Sequence, residues 1–145
     1  MRFMIIVPEP PEAEQGRLGT AEQFAAMQAY NEELLRAGVF VEGEGLDPSA
    51  RGALVARVDG EWVVTDGPFT ESKELIAGFT IIDVSSREEA IEWLRKWPVS
   101  CAPGPGQALE LRQVHAPEDF GDLLPPELLE REERLREAAR NAAQG

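Results

Sequence analysis

The sequence has little of the chemistry that redox and metal sites require. Cysteine and histidine each occur once in 145 residues, as Cys101 and His115. A single cysteine forms no disulfide bond within the chain, which favours a cytoplasmic protein. The two residues lie in separate loops without the spacing of metal ligands, and scattered carboxylates are not a metal motif. We therefore expect no metal site and no cofactor.

Basic residues and long apolar segments are also scarce. Lys and Arg number 14 against 27 Asp and Glu, which gives a net charge of −13. Such a charge repels polyanions, and no basic stripe is present, so we expect no nucleic acid partner. No apolar run approaches the length of about 18 residues that a membrane span needs. The initial run RFMIIV is short and leads into acidic, Pro-rich sequence, so it predicts a first strand and not a signal peptide.

What the sequence does contain is an ordered series of strand and helix patterns. Short apolar runs predict strands, and longer segments with helical spacing predict helices. In chain order the elements are a strand at Arg2 to Val7, a helix at Thr20 to Ala37, a strand at Val39 to Leu46, a hairpin at Ala53 to Thr65, a strand at Ala77 to Val84, a helix at Arg87 to Trp97 and a strand at Ala108 to Val114.

Local signals mark the ends of several of these elements. Thr20 and Gln23 have the spacing of a capping box, and Ser85 or Ser86 is the expected N-cap of the second helix. Asp59-Gly60 between two apolar runs predicts a hairpin with a type I′ turn.

The strand from Val39 to Leu46 carries both carboxylates and glycines. Alternation with a period of two predicts that Phe40, Glu42 and Glu44 share one face of the sheet. Glycine inside a strand often marks a bulge or the close approach of another group. The two carboxylates are therefore expected either in solvent or directed towards a pocket.

Without the hairpin, the order of elements is βαββαβ, which predicts an α+β, ferredoxin-like fold. Helices cover one face of such a sheet, yet the segments FMIIV and FTII are apolar on both faces. A monomer rarely exposes so large an apolar patch, so we expect a homodimer whose two sheets face each other around a cavity. The other candidate for this cover is the chain's own C-terminal helix, Glu127 to Ala143. We expect one domain at residues 1–115 and a C-terminal extension at residues 116–145.

Three segments carry a resemblance to a known family. They are VFVEGEGL, TDGPFTESKE, and GFTIIDV followed by SSREEAIEW. In this order they resemble the YCII-related proteins of the DGPF type, over Arg2 to Val114. The resemblance implies a dimeric α+β barrel of ferredoxin-like subunits in small bacterial cytoplasmic proteins, most of them without an established activity. Some members look linked to sigma factors of the extracytoplasmic-function type. Other branches of the superfamily carry a His–Asp pair, and the related muconolactone isomerases share the dimeric plan.

The candidate site residues lie mostly in the motifs that carry this resemblance. Asp66 matches the Asp of DGPF and Glu44 matches the Glu of GEGL, and both are candidates for a catalytic acid or base. Lys73, Glu71 and Arg112 are the candidates for ligand binding, where a cation would orient an anionic or carbonyl group.

Two alternatives to these site assignments remain open. The segment DGPF also has a structural interpretation, in which Asp66 caps its own turn through an Asx hydrogen bond and Phe69 fills the core. His115 lies after the last strand and outside the family motif, so the family's His–Asp pair is not carried over. Its neighbour Asp119 gives it the spacing of a dyad, but an exposed histidine is the favoured interpretation.

Two classes of function fit these observations. The first is a small-molecule-binding homodimer with a cavity between its sheets, in which lyase- or isomerase-like acid–base chemistry could operate. The second is a non-enzymatic regulatory or interaction protein, associated with a sigma factor. A deep pocket lined by Glu44, Asp66 and a basic residue favours the first. An exposed apolar stripe on the C-terminal helix favours the second.

Overall fold

The fold is that of a computed structural model, which describes residues 1–16, 19–69 and 74–145. The strands are β1 (Arg2–Pro8), β2 (Phe40–Gly45), β3 (Ala53–Val58), β4 (Glu61–Asp66), β5 (Ile76–Asp83) and β6 (Glu110–Gln113). The α-helices are α1 (Ala21–Arg36), α2 (Arg87–Arg95) and α3 (Pro126–Gln144). Short 3-10 helices lie at Pro11–Gln15, Ser49–Arg51, Val99–Cys101 and Pro117–Leu123.

The main sheet has four strands in the order β2-β5-β1-β6, and every neighbouring pair is antiparallel. With α1 after β1 and α2 after β5, this is the ferredoxin-like arrangement. The hairpin β3–β4 forms a separate two-stranded sheet. The predicted α+β fold, the inserted hairpin and the C-terminal helix are therefore confirmed.

The predicted capping residues lie at the helix starts. The N–H of Gln23 donates to Thr20 Oγ1 at 3.2 Å, and the N–H of Thr20 donates to Gln23 Oε1 at 2.9 Å. At the start of α2, the N–H of Glu89 donates to Ser86 Oγ at 3.1 Å. These local bonds satisfy backbone donors that have no partner inside the helix.

The hydrophobic core lies between α1, α2 and one face of the main sheet. Its buried members are Phe3, Ile5, Tyr30, Leu34, Val39, Ile82, Val84, Ala90 and Trp97. Tyr30 of α1 is one of its buried members: its hydroxyl donates to the carbonyl of Trp93 in α2 at 2.8 Å, and its ring lies 5.2 Å from that of Trp97. These contacts join the two helices.

A β-bulge in β2 overturns the prediction that Phe40 shares a face with Glu42 and Glu44. Phe40 pairs with Ile82, but Glu42 already pairs with Ile81 and Glu44 with Phe79. The extra residue shifts the alternation by one, so Phe40 packs against the core and both carboxylates lie on the opposite face. The bulge lies between Phe40 and Glu42, at Val41 and not at a glycine.

The face of the main sheet opposite the core is called the second face below. The strand registers place four apolar residues along its centre: Met4, Ile6, Phe79 and Ile81. All four are half-buried. The same registers place Glu42 and Glu44 at the β2 edge, and Glu110 and Arg112 at the β6 edge.

The hairpin β3–β4 has the predicted type I′ turn, since Asp59 has a φ of 49° and Gly60 a φ of 83°. All twelve strand residues of the hairpin are exposed. Trp62 is 68% exposed, although the Arg57 guanidinium lies 5.3 Å from the centre of its ring. The hairpin therefore carries its apolar side chains outside the core.

The chain divides into two compact units, Met1–Gln113 and Val114–Gly145. Within the second unit, α3 carries the ion pair between Arg136 and Glu132 at 2.8 Å. Leu128 and Leu135 on the same helix are 46% and 57% exposed. Within the described ranges, no helix combines the length and hydropathy needed to cross a bilayer.

Candidate functional site

The DGPF segment begins where β4 ends and is attached to the loop that follows β2. The N–H of Gly67 donates to the carbonyl of Gly52 at 3.0 Å, and the N–H of Phe69 donates to Ser49 Oγ at 2.8 Å. The peptide bond between Gly67 and Pro68 is cis. Two segments that lie far apart in sequence are therefore held side by side.

The glycine of DGPF is required by this close approach. A Cβ atom on Gly67 would overlap the carbonyl of Ser49. Because that carbonyl belongs to the backbone, it cannot move aside as the end of a flexible side chain could. Any residue with a side chain would push the two segments apart.

Two parts of the structural interpretation of DGPF are wrong. The Asx bond expected for Asp66 would use the N–H two residues on, but that residue is Pro68, which has none. Among the described residues, the exposed Asp66 carboxylate makes no hydrogen bond. Phe69 does not belong to the core either. It is half-buried and its ring lies against Gly52, 3.7 Å from the position of a Cβ there.

A cleft of about 500 Å³ opens beside this attachment point. Its wall is formed by Glu9, Leu46, Asp47, Pro48, Ser49, Arg51, Gly52, Phe69, Glu74, Leu75 and Ile76. The cleft thus brings together the end of β1, the loop after β2, the ring of DGPF and the start of β5. Its size is that of an ordinary small-molecule site.

Glu9 is the buried carboxyl of this cleft and was not among the residues singled out from the sequence. Its residue surface is 4% exposed. Its N–H donates to the carbonyl of Leu75 at 3.0 Å, and its carbonyl accepts from the side-chain amide of Gln107 at 2.8 Å. The backbone is therefore anchored on both sides, which fixes where the side chain begins.

Burial raises the pKa of Glu9 above its ordinary value of 4.5, and the neighbouring Glu14 carboxyl raises it further by charge repulsion and by a hydrogen bond. Two carboxyls in contact cannot both be ionised without a large cost, so Glu9 keeps its proton to a higher pH than an isolated carboxyl does.

Among the described residues, the predicted site residues Glu44, Arg112 and Asp66 do not converge within one chain. Glu44 and Arg112 share the second face but lie on its opposite edges, separated by β5 and β1 and hence by about 14 Å. Arg112 pairs with Glu110 at 3.3 Å. Asp66 belongs to the separate hairpin sheet, where it pairs with Ala53.

The remaining candidates are Lys73, Glu71 and His115. Lys73 and Glu71 lie outside the described residues. His115 is exposed, and its Nδ1 lies 3.9 Å from Asp119 Oδ2, within the second unit. Asp119 uses that same oxygen to accept the N–H of Ala116 at 2.8 Å. In the part of the chain that the structure describes, no three potential metal ligands cluster.

The sequence signal for Glu9 was weak. It stands between Pro8 and Pro10, in the acidic, Pro-rich sequence that follows the first apolar run. Its burial distinguishes it from the other acidic residues of the described chain, and its backbone bonds to Leu75 and Gln107 come from distant segments. A carboxylate at the end of an apolar strand was the one hint available.

The order of the strands in the main sheet defines a ferredoxin-like α+β domain. The hairpin β3–β4 is inserted into this domain, and the DGPF segment follows the hairpin. The model of the YCII-related domain matches residues 1–114, and the chain belongs to this family.

Two individual proteins show the extent of the likeness. An uncharacterised protein of Rhizobium meliloti (strain 1021) is 35% identical over 69 residues, which are 48% of this chain and 56% of that protein. The chain therefore matches little more than half the length of that relative. A solved structure of 5-chloro-2-hydroxyhydroquinone dehydrochlorinase from Burkholderia phenoliruptrix AC1100, in complex with 2,5-dihydroxybenzoquinone, is similar at 20% identity. Its TM-score is 0.42, over 79% of this chain and 94% of that one.

Proposed function

We propose that the protein is the subunit of a cytoplasmic homodimer that binds a small molecule in a cavity between two facing sheets. The observation that carries this proposal is the second face, whose centre consists of Met4, Ile6, Phe79 and Ile81. An apolar stripe along a sheet is rarely left to solvent, and a second copy of the same stripe is a self-complementary cover.

The charges at the two edges of the second face favour one arrangement of the copies. A two-fold axis parallel to the strands lays the β2 edge of one copy over the β6 edge of the other. The registers align Glu42 with Arg112 and Glu44 with Glu110, so Glu42 then lies over Arg112 of the partner subunit and Glu44 lies two residues further along the same edge. An axis across the strands would set the carboxylates of the two β2 strands over each other. The first arrangement therefore pairs a β2 carboxylate with a cation.

This arrangement also supplies groups for acid–base chemistry. In such an enclosed cavity Glu44 is the candidate base, and the partner subunit's Arg112 is the candidate group for an anionic or carbonyl substrate. Asp66, at the base of the hairpin, is the second candidate carboxylate, and Glu71 and Lys73 follow it in the chain. Lyase- or isomerase-like proton transfer is the reaction class that such a set supports.

The hairpin supports association with a second copy independently. In β3 and β4, paired residues share a face, so Val55, Val64 and Trp62 lie on one side and Leu54, Val58 and Val63 on the other. These six residues are between 43% and 68% exposed. An isolated two-stranded ribbon is marginally stable in water, so a ribbon with two apolar faces requires a cover.

Sedimentation or light scattering tests the dimer. We expect wild type to be dimeric and Ile6→Glu to be monomeric, because a charge enters the apolar stripe. Val99→Glu is the matched control, since Val99 is 90% exposed and lies outside the sheet. A wild-type protein that is monomeric over the whole concentration range would contradict the proposal.

A thermal-shift screen of small metabolites tests the ligand. We expect a hit whose stabilisation is lost in Arg112→Gln and in Glu44→Gln. Arg95→Gln is the control for Arg112, because the two guanidinium groups are 72% and 70% exposed and each pairs with a nearby glutamate. Asp66→Ala separates the two interpretations of DGPF: a folded variant without the hit supports a site, and an unfolded variant supports a structural role.

A regulatory protein that binds a sigma factor is the second candidate function. The observation that favours it is an apolar groove of about 280 Å³ in the C-terminal unit, lined by Phe120, Leu124, Leu128, Arg131, Glu132 and Leu135. An exposed groove of this kind suits an apolar helix of a partner. We expect Leu135→Glu to abolish binding of a purified sigma factor and Val99→Glu to retain it. No binding by wild type would exclude this function.

A further inference from the structure

We propose that α3 forms a second contact between two copies of the chain, in which the two α3 helices lie antiparallel and each covers the apolar groove of the other. The residues of this contact differ from those of the second face, so the inference adds an interface to the proposed homodimer. It also assigns the groove to a second copy and not to a sigma factor.

The first reason is an apolar stripe along α3. Leu128, Leu135 and Ala142 are seven residues apart, so they lie on one side of the helix, and they are called the α3 stripe below. Leu128 and Leu135 also line the groove, together with Leu124. Both leucines are exposed. Apolar residues that repeat every seven positions are the pattern by which one helix packs on another, so the expected cover is a helix.

The second reason is the distribution of charge along α3. The first half, residues 126–133, carries four glutamates and one arginine, whereas the second half, residues 134–144, carries three arginines and one glutamate. An antiparallel copy sets an acidic half over a basic half at both ends, and a parallel copy sets like charge over like charge. Charge complementarity therefore selects a second α3 in the antiparallel direction.

The same argument applies at the middle of the helix. Glu132 and Arg136 form an ion pair at 2.8 Å and are the least exposed charged side chains among the ion pairs of α3. They flank Leu135 on the same side of the helix. A two-fold axis at Leu135 brings Glu132 of one copy next to Arg136 of the partner subunit, so two ion pairs become a network of four charges. Such flanking charges set the orientation of paired helices.

The third reason is the distribution of side-chain size. Leu135 is the central residue of this helix of 19 residues, and all four of its alanines lie in the second half. In an antiparallel pair centred on Leu135, Leu128 lies opposite Ala142 of the partner subunit, because each is seven residues from the centre. A large side chain then meets a small one at both ends, which allows close packing.

The length of α3 indicates how strong this contact is. At about 1.5 Å per residue the helix is about 28 Å long, so a single helix pair makes a small interface of the weak class. Two chains already joined by the second face hold their α3 helices at an effective concentration of about a millimolar, which favours a weak contact. The strength of the contact, but not its geometry, thus rests on the proposed function.

Disulfide trapping in the full chain tests the proposal, with every variant made in a Cys101→Ser background. In Leu135→Cys the two thiols meet at the centre of the pair. Glu137→Cys is the matched control, because Glu137 is exposed and lies on the opposite side of the helix. We expect Leu135→Cys to form the disulfide dimer about tenfold faster or more, given the effective concentration of paired helices. Equal rates for the two variants would overturn the proposal.

A mixture of two further variants tests the direction, and both of them retain Leu135. Leu128→Cys and Ala142→Cys chains are mixed, left to exchange subunits and then oxidised. The antiparallel pair predicts disulfides between one chain of each kind, and a parallel pair predicts disulfides between two Leu128→Cys chains. High salt should reduce the excess of mixed disulfides, because it screens the charges that select the direction. A majority of Leu128→Cys self-pairs would overturn the antiparallel arrangement.

Two controls separate this contact from the other proposals. Combining Ile6→Glu with Leu135→Cys removes the second-face contact, so trapping should become proportional to protein concentration but still exceed that of Glu137→Cys. That result supports the α3 contact even if the second face proves not to be an interface. An equimolar purified sigma factor should leave the trapping rate of Leu135→Cys unchanged. If the sigma factor blocks trapping, the groove belongs to that partner and the proposal is wrong.

Discussion

Ser49 and Phe69 join the two halves of the motif region, because Ser49 Oγ accepts the N–H of Phe69 at 2.8 Å. Next to this bond, the carbonyl of Gly52 accepts the N–H of Gly67 at 3.0 Å. The bond between Gly67 and Gly52 continues the register in which Asp66 pairs with Ala53, and the hydroxyl of Ser49 accepts the next available N–H, since Pro68 has none. DGPF therefore serves first as an attachment between the hairpin and the loop after β2, and this attachment forms one wall of the cleft.

The close approach at Gly67 predicts a large cost for a single methyl group. Gly67→Ala should lower the free energy of unfolding by about 1–3 kcal/mol, because the new Cβ overlaps the Ser49 carbonyl. Chemical denaturation measures this. Gly45→Ala is the control, since a Cβ there meets nothing within 4 Å. Equal stability of the two variants would show that the segments separate easily.

Tyr30 predicts an alkaline transition with a clear optical signal. Burial, and then the charge of Glu33, raise the pKa of Tyr30 to about 12 from its ordinary 10.0. The native state therefore holds this proton longer than the unfolded chain, and stability is lost as the pH rises from 10 towards 12. Tyrosinate absorbance follows it cleanly because the chain has 1 tyrosine. Ionisation near pH 10 in the folded protein would contradict the burial of Tyr30.

Glu9 predicts a stability difference that grows with pH. Because the folded pKa is raised, the native state holds more protons than the unfolded chain just above 4.5, and wild type loses stability as the pH rises. Glu9→Gln is uncharged throughout, so its stability relative to wild type should increase from acid to neutral pH. Denaturation at a series of pH values measures this difference. The stability of Glu12→Gln relative to wild type should not change with pH. If the stability of Glu9→Gln relative to wild type decreased from acid to neutral pH, the raised pKa of Glu9 would be excluded.

The hairpin predicts a concentration-dependent protection from hydrogen exchange. If a second copy covers Trp62 and its neighbours, the amides of β3 and β4 should exchange more slowly as the protein concentration rises. The amides of α1, which lie against the core of the same chain, should not change. Equal protection at all concentrations would mean that the exposed ribbon stands alone.

Much of the fold could be predicted because its signals are local. Thr20 and Gln23 fixed the start of α1, and Asp59-Gly60 fixed the hairpin turn, through bonds and backbone angles that involve only neighbouring residues. The faces of β2 could not be predicted in the same way. A bulge depends on how β2 pairs with β5, and one inserted residue moves Glu42 and Glu44 to the opposite face from Phe40.

The candidate site shows the same division. Asp66 and Glu44 were singled out by motif, and the structure places them on separate sheets. Glu9 carried no motif, and its importance comes from its burial, from backbone bonds to Leu75 and Gln107 and from the contact with Glu14. Side chains that converge from distant segments leave no spacing in the sequence.

By itself, the sequence determined the order of strands and helices, the capped ends, the family resemblance and the acidity of the chain. These depend on composition and on contacts a few residues apart. Only the tertiary structure decided that DGPF binds to the Ser49 loop, that Phe69 lines a cleft instead of the core, and that Glu9 is buried beside Glu14. Those outcomes require long-range pairing, which sets burial and therefore the pKa of a carboxyl.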